Sequence, residues 1–228
     1  MDRVIFSMET VRRLVEEYRG KLTCHPINDL IARRVLPLEV IRECAAIQYV
    51  DSMLWVPMLA LMKDRVESPR LQEALRANIR CETGDAGISH LTLAQSFIRS
   101  LGIPPYFGDY GVQSKLASHP VEIMNAATGL NEAQIAGWLL VAETLVPHLF
   151  ALLRPAFEGF PEVDLRYLDE HIAVDADEHA QWMDAAVKEI LALGGRAEEV
   201  ITGVDLGGRV TLSVPDALYA KAIRMTAK

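Results

Sequence analysis

The stretch His171-Ile-Ala-Val-Asp175-Ala-Asp-Glu178-His179 sets two imidazoles and several carboxylates at short, regular spacing. In an α-helix a step of four residues turns the side chain by only about 40°, so His171, Asp175 and His179 would form one stripe over two turns. Imidazole and carboxylate groups on one stripe are typical of part of a metal site. The remaining ligands would have to come from other helices, so the rest of the chain decides the interpretation.

A second pair of candidate ligands lies in an earlier helical segment. Ser68-Pro69 is a helix start signal, and the apolar period behind it predicts one helix that continues to Leu101. Glu82 and His90 are eight residues apart, about 80° around an ideal helix, so both can face the same interior. Gly84 and Gly87 would each cost about 1 kcal/mol in mid-helix, which indicates a bulge, a close helix crossing or room for a ligand.

Two further carboxylates stand in strongly apolar segments. Glu143 interrupts the helix predicted from residue 132 to residue 157, which Asn131 caps, and a carboxylate in such a run needs a partner. Asp51 lies in the long apolar helix predicted over residues 37–66. A salt bridge, a cap-like hydrogen bond and a metal all remain open as the partner of Asp51.

The composition favours a single helical domain. Over its 228 residues the chain has no linker rich in Gly, Ser or Pro, which predicts one domain spanning residues 1–228. Half of the residues are hydrophobic but only 7 % are aromatic, a balance that suits helices better than a sheet sandwich.

Local signals predict the last helix boundaries. Asp164 can cap the helix that carries the opening stretch, and Gly194-Gly195 can end it. Gly207-Gly208 predicts a turn between the two last helices. The result is an all-α chain of seven to nine helices.

Charge, cysteine usage and hydropathy limit the partners and the compartment. A net charge of −8 and a pI near 5.3 argue against a nucleic-acid partner. The three cysteines are widely spaced and form no CxxC pair, which fits a reducing cytoplasm. The longest apolar run, Ile135 to Leu153, is interrupted by Glu143 and His148, so we expect a buried helix and no membrane partner.

The ligand order resembles that of the haem-oxygenase-like di-metal oxidases and oxygenases. The resemblance covers about His25 to Gly194 and includes the Leu101-Gly102 end of the first ligand segment. It implies a bundle of about seven core helices and a site of six residues, each with a metal-binding and catalytic role: Glu82, His90, Glu143, His171, Asp175 and His179. It also implies Glu143 as a bridging carboxylate, with Glu82, His90 and His179 on one metal and His171 and Asp175 on the other.

One position departs from the family pattern. The family usually places its last histidine three residues after the aspartate, where this chain has Glu178, and the histidine follows at His179. Either a π-type bulge turns His179 onto the same helix face as His171, or Glu178 takes part in the site. In the second case Glu178 is a metal ligand or accepts a hydrogen bond from one. Whether Glu178 or Asp51 is an additional ligand stays open.

The resemblance implies an O2-activating non-haem di-iron oxidase or oxygenase of small-molecule biosynthesis. Its cofactors would be two Fe(II) ions, with manganese as an alternative, and O2 would be the co-substrate. An amino acid or amine is the expected substrate, and N-oxygenation, oxidative C–C or C–N cleavage and nitrile formation are the reactions implied. Pocket residues are expected at Tyr49, Met53 and Trp55 and in the Tyr106-Phe107 connection. Whether the chain forms a homodimer stays open.

Two other functions remain open at this stage. In the first, the chain is a metal-free enzyme of the thiaminase or cofactor-oxidase type, whose acidic residues bind a heterocycle directly. In the second, it is a helical interaction protein without chemistry. Two measurements would discriminate among the three functions. One is the iron content of the protein, and the other is whether variants of the predicted ligands still bind a protein partner.

Overall fold

The structure is a computed structural model that describes residues 2–85, 87–104, 123–125, 128–174, 179–194 and 197–226. The regular elements within these residues are helices, as predicted, and no strand occurs among them. In chain order they are α1 (Asp2–Thr23), α2 (Ile27–Ala32), α3 (Leu38–Lys63), α4 (Pro69–Thr83), α5 (His90–Ser100), α6 (Glu132–Leu153), α7 (Arg166–Val174), α8 (Ala180–Ala192) and α9 (Ala197–Thr226). A short 3-10 helix, Arg154–Ala156, follows α6.

Helix α6 is the central element of the bundle. Its start is fixed by a capping box, in which the Asn131 side chain accepts from the Gln134 backbone N–H and the Gln134 side chain accepts from the Asn131 N–H. Most of its residues are buried, and α1, α7, α8 and α9 all pack against it. An all-round apolar helix of this kind belongs in the middle of a protein, and it carries Glu143 into the interior.

Glycines bring α6 and α9 into backbone contact. A Cβ atom on Gly203 would lie 2.1 Å from the carbonyl oxygen of Gln134, and one on Gly137 would lie 2.1 Å from that of Val200. The predicted turn at Gly207-Gly208 is wrong, because α9 continues through both residues. A Cβ on Gly207 would meet Val141, and one on Gly208 would meet the Tyr18 ring. These glycines leave room for a close crossing of two helices, and they do not turn the chain.

The helix predicted from Ser68 to Leu101 is two helices. Helix α4 begins as predicted, with the Ser68 hydroxyl accepting from the Leu71 N–H, but it ends at Thr83 because Gly84 adopts a left-handed conformation with φ +84°. Ser89 then caps α5. Glu82 therefore lies in the last turn of one helix and His90 begins the next, so the prediction that both lie on one helix is wrong.

Two helices among the described residues could cross a membrane by length and composition alone, Leu38–Lys63 and Glu132–Ala156. In the second, 72 % of the most apolar window is buried inside the protein, against 44 % in the first. The core helix of a soluble protein passes the same test, so the finding is weak evidence for a membrane.

Candidate metal centre

Three of the six predicted ligands meet in the interior of the bundle. Side-chain ligand atoms of Glu82, His90 and His171 all lie within 4.8 Å of one another. Nδ1 of His90 is 3.0 Å from Oε2 of Glu82, and the His90 and His171 ring centroids are 4.3 Å apart. The break between α4 and α5 makes this possible, since it lets the end of one helix and the start of the next converge on α7.

The His171 ring is oriented by its own helix. Its Nδ1–H donates to the Tyr167 carbonyl oxygen at 2.8 Å, which leaves the lone pair on Nε2. Burial, together with the neighbouring charge of His90, lowers the pKa of His171 to about 3. The ring is therefore neutral at physiological pH, which is the form that binds a metal.

A second group adjoins this triad on α6. Nδ1 of His179 hydrogen-bonds to Oε2 of Glu143 at 3.1 Å, and the Asn78 side-chain amide donates to Oε1 of Glu143 at 2.6 Å. Asn78 stands four residues before Glu82, on the same face of α4. Sequence reasoning missed Asn78, because an uncharged amide on an amphipathic helix looks like an ordinary surface residue. The Asn78-x-x-x-Glu82 spacing is the signal that could have revealed it.

Burial separates these side chains from bulk water. The six residues of the two groups are at most 6 % exposed: Asn78, Glu82, His90, Glu143, His171 and His179. The ion-pair partners that the described residues offer to Glu82 and Glu143 are His90 and His179, with no Lys or Arg among them. Buried carboxylates without a lysine or arginine partner favour a bound cation.

The backbone at His179 is irregular, as the extra residue before it led us to expect. His179 has π-helical geometry, and α8 begins directly after it at Ala180. Asp175 and Glu178 lie outside the described residues, as do Tyr106 and Phe107. The assignment of Asp175 as a ligand, the role of Glu178 and the division of ligands between two metals therefore stay predictions.

Cys81 is a further neighbour of the centre that sequence reasoning missed. The neighbouring His179 and His90 side chains favour the thiolate form of its half-buried side chain and lower its pKa to about 7. Its position next to Glu82 in the chain places a sulfur beside two imidazoles of the cluster.

A cavity of about 100 Å³ borders both groups. Helix α3 contributes one wall, and the others come from α6, α7, α9, the end of α4 and Ile123. The side chains from α3 follow a helical face: Gln48, Asp51, Ser52, Leu54, Trp55 and Met58. Trp55 lies in the wall as predicted, whereas Tyr49 is a buried core residue and Met53 packs against the core. Glu82, Glu143 and His171 close the cavity on the side of the centre.

Comparison with known families adds the chemical context. The chain from residue 42 to residue 209 matches the sequence model of a haem-oxygenase-like family described as iron-containing redox enzymes. The matched range includes all six predicted ligands. No curated protein matches the chain in sequence.

Proposed function

Because the chain belongs to the haem-oxygenase-like family of iron-containing redox enzymes, we propose that it is a non-haem di-iron oxidase or oxygenase that uses O2 on a small amino-acid or amine-type substrate. Family membership supports an oxidoreductase role and iron as the metal. The number of metal ions, O2 and the substrate belong to the proposal.

The observation that carries the proposal is the buried triad of Glu82, His90 and His171 beside the Glu143 and His179 pair. Carboxylate and imidazole donors suit iron and manganese, and ligands projecting inward from several helices are the usual arrangement of di-iron carboxylate bundles. Within the described part of the chain, Glu82 and Glu143 have histidines and no lysine or arginine as ion-pair partners, so their negative charge fits a divalent cation. The donor set present therefore fits the proposed iron.

The protein's own residues prepare this site. Tyr167 holds His171 in one tautomer through its carbonyl oxygen, and Asn78 holds one carboxylate oxygen of Glu143 in place. Iron held by these residues would supply the redox chemistry with O2. The mainly apolar cavity beside them would hold the substrate next to the iron and limit its contact with water.

Metal uptake tests the proposal. Protein supplied anaerobically with Fe(II) should bind close to two equivalents and give a transient visible absorption when O2 is admitted. Glu143→Gln and His171→Gln should lower the stoichiometry. The matched control is His148→Gln, since His148 lies outside the cluster and hydrogen-bonds to Thr23 Oγ1 at 2.9 Å.

Two results would count against the proposal. Wild-type protein that takes up no iron while remaining folded would favour the metal-free alternative. Equal stoichiometry in wild type, Glu143→Gln and His171→Gln would place the iron elsewhere in the chain.

A further inference from the structure

One hydrogen-bond donor in the cavity wall has no acceptor within the described part of the chain. The side chain of Trp138, on α6, lines the cavity and is only 2 % exposed. Its Nε1–H is buried and makes no hydrogen bond to any described residue. A buried N–H in this state is unfavourable, because it has lost its bonds to water and has gained none in return. An acceptor atom from a bound molecule would remove this cost.

The unpaired N–H borders the cavity beside a glycine. A Cβ atom on Gly207 would lie 3.0 Å from Cδ1 of Trp138, which is the ring carbon bonded to Nε1. Gly207 is itself a wall residue, and it has no side chain that could cover this edge of the indole. The Trp55 ring, on α3, completes this part of the wall, with its centroid 5.8 Å from that of Trp138.

Other polar groups of the wall already have partners within the protein. The Ser52 and Tyr167 hydroxyls hydrogen-bond to each other at 2.7 Å, and the Thr211 hydroxyl donates to the Gly207 carbonyl oxygen at 3.0 Å. These contacts satisfy the hydroxyl groups without a ligand. The N–H of Trp138 is not satisfied in this way, so a ligand that enters the cavity can bind to it.

The chemistry of the indole limits which atom of a ligand can bind there. An indole N–H only donates, so its partner must be an acceptor, whereas a protonated amine has donors alone. Trp138 precedes Glu143 by five residues on α6, which is about 7.5 Å along the helix axis. A ligand oxygen bound at Trp138 therefore leaves the space beside Glu143 to the metal and to the reacting part of the substrate.

We propose that Trp138 is a substrate-recognition residue whose Nε1–H donates to a carbonyl or carboxylate oxygen of the substrate. This inference rests on the proposed function. It narrows the substrate class from amino acids and amines to compounds that carry such an oxygen, as an amino acid does. An uncharged carbonyl and a carboxylate share this chemistry, and separate probes distinguish them.

Nuclear magnetic resonance of the indole N–H groups tests the proposal in the wild-type protein. The chain has three tryptophans, so ¹⁵N-labelled indoles give three signals. Butanone and butanoate should each move the Trp138 proton signal downfield, with and without Zn(II) as a diamagnetic substitute for iron. 2-Methyl-1-butene, which has a CH2 group in place of the butanone oxygen, should bind without that shift. Trp55→Phe and Trp182→Phe identify the other two signals, which assigns the Trp138 signal even if Trp138→Phe does not fold.

Two matched variants connect the oxygen preference to one N–H group. Trp138→Phe keeps an aromatic ring but removes the donor, and the affinity for butanone relative to 2-methyl-1-butene should fall about 5- to 10-fold. Comparing the two probes cancels the contact area that the smaller ring loses. Trp55→Phe makes the same change in the wall from α3 and should keep the ratio. A larger fall for butanoate than for butanone would assign a carboxylate, and the reverse would assign an uncharged carbonyl.

The outcomes separate this inference from the proposed function. It is overturned if neither oxygen probe shifts the Trp138 signal, if Trp138→Phe keeps the wild-type ratio, or if Trp55→Phe lowers the ratio equally. Normal Fe(II) uptake with any of these results would overturn the role of Trp138 alone. Absence of Fe(II) uptake together with a Trp138 signal that responds to the oxygen probes would overturn the di-iron function and leave the recognition residue standing.

Discussion

Nδ1 of His179 lies 3.1 Å from Oε2 of Glu143, which joins the start of α8 to the middle of the central helix. The other carboxylate oxygen of Glu143 accepts the Asn78 amide at 2.6 Å, so the carboxylate is held from two sides. A buried carboxylate fixed in this way is preorganised, and its position depends on a residue that carries no charge.

Replacing Asn78 should therefore affect the metal more than the fold. Asn78→Leu keeps the approximate volume but removes the donor to Glu143, and we expect metal affinity to fall by about 10- to 100-fold. Competition with a chelator measures the affinity, and circular dichroism checks the helix content. Gln72→Leu is the control on the same helix, since Gln72 hydrogen-bonds to the Val66 carbonyl oxygen away from the cluster. Equal affinity in both variants would show that Asn78 does not position Glu143.

Replacing Gly84, between α4 and α5, should lower both the stability of the fold and the affinity for the metal. Gly84→Ala puts a side chain at φ +84°, with its Cβ 2.6 Å from the Ser89 backbone nitrogen. We expect the free energy of unfolding to fall by about 1–3 kcal/mol, and metal affinity to fall because His90 moves relative to Glu82. Gly87→Ala is the control, as nothing lies within 4 Å of its added Cβ. Urea unfolding and chelator competition measure the two effects, and similar behaviour of both variants would contradict the argument.

The crossing of α6 and α9 predicts a clear contrast between two glycines. Gly203→Ala would drive its Cβ into the Gln134 carbonyl oxygen, and overpacking of this kind costs about 1–3 kcal/mol or more. Gly20→Ala, on the exposed side of α1 with nothing within 4 Å, should instead stabilise the protein by about 0.5–1 kcal/mol. Thermal or urea unfolding would compare them. Stabilisation by Gly203→Ala would mean that the two helices are further apart than described.

Asp51 should make the stability of the protein depend on pH. Burial raises its pKa in the folded state from 3.8 to about 7, so the folded chain holds the proton more tightly than the unfolded chain. The contribution of Asp51 to the free energy of unfolding is therefore largest below about pH 4, and it is lost as the pH rises to about 7. Asp51→Asn should therefore be more stable than wild type by about 1–3 kcal/mol at pH 8, with a smaller difference at pH 5.

Urea titrations of both proteins between pH 5 and pH 8 measure this difference. Glu39→Gln, on the exposed N-terminal turn of the same helix, is the control, because it removes a carboxylate from the surface instead of from the interior. A difference between wild type and Asp51→Asn that stays flat with pH would contradict the effect of burial on Asp51.

The sequence predicted those parts of the fold that depend on local signals. The caps at Ser68 and Asn131 and the apolar period of α3 and α6 each depend on neighbouring residues, and each prediction is confirmed. The predictions at Gly84 and Gly207 were wrong because a glycine in a sequence can mean either of two things. It can allow a positive φ, or it can leave room for a neighbouring helix. Gly84 adopts a positive φ and breaks a helix, whereas Gly207 fits against Val141 within a helix, and only the distant chain reveals the difference.

The sequence also predicted most of the side chains that form the candidate site. Glu82, His90, Glu143, His171 and His179 stood out because charged or titratable groups in apolar helices need partners, and the structure brings these five together. Their role as metal ligands stays a prediction. Asn78 and Cys81 did not stand out, because their importance lies in their proximity to Glu143 on α6 and to His179 at the start of α8.

The glycine crossing of α6 and α9 also has a consequence for how a substrate enters. Trp138 and Val146 on one helix and Val210 on the other belong to the same wall of the cavity. Because backbone touches backbone at Gly137 and Gly203, no side chain there can change rotamer to let the helices separate. We therefore expect this wall to stay in place when a ligand enters, and we expect the wall from α3, which includes Trp55 and Met58, to move instead.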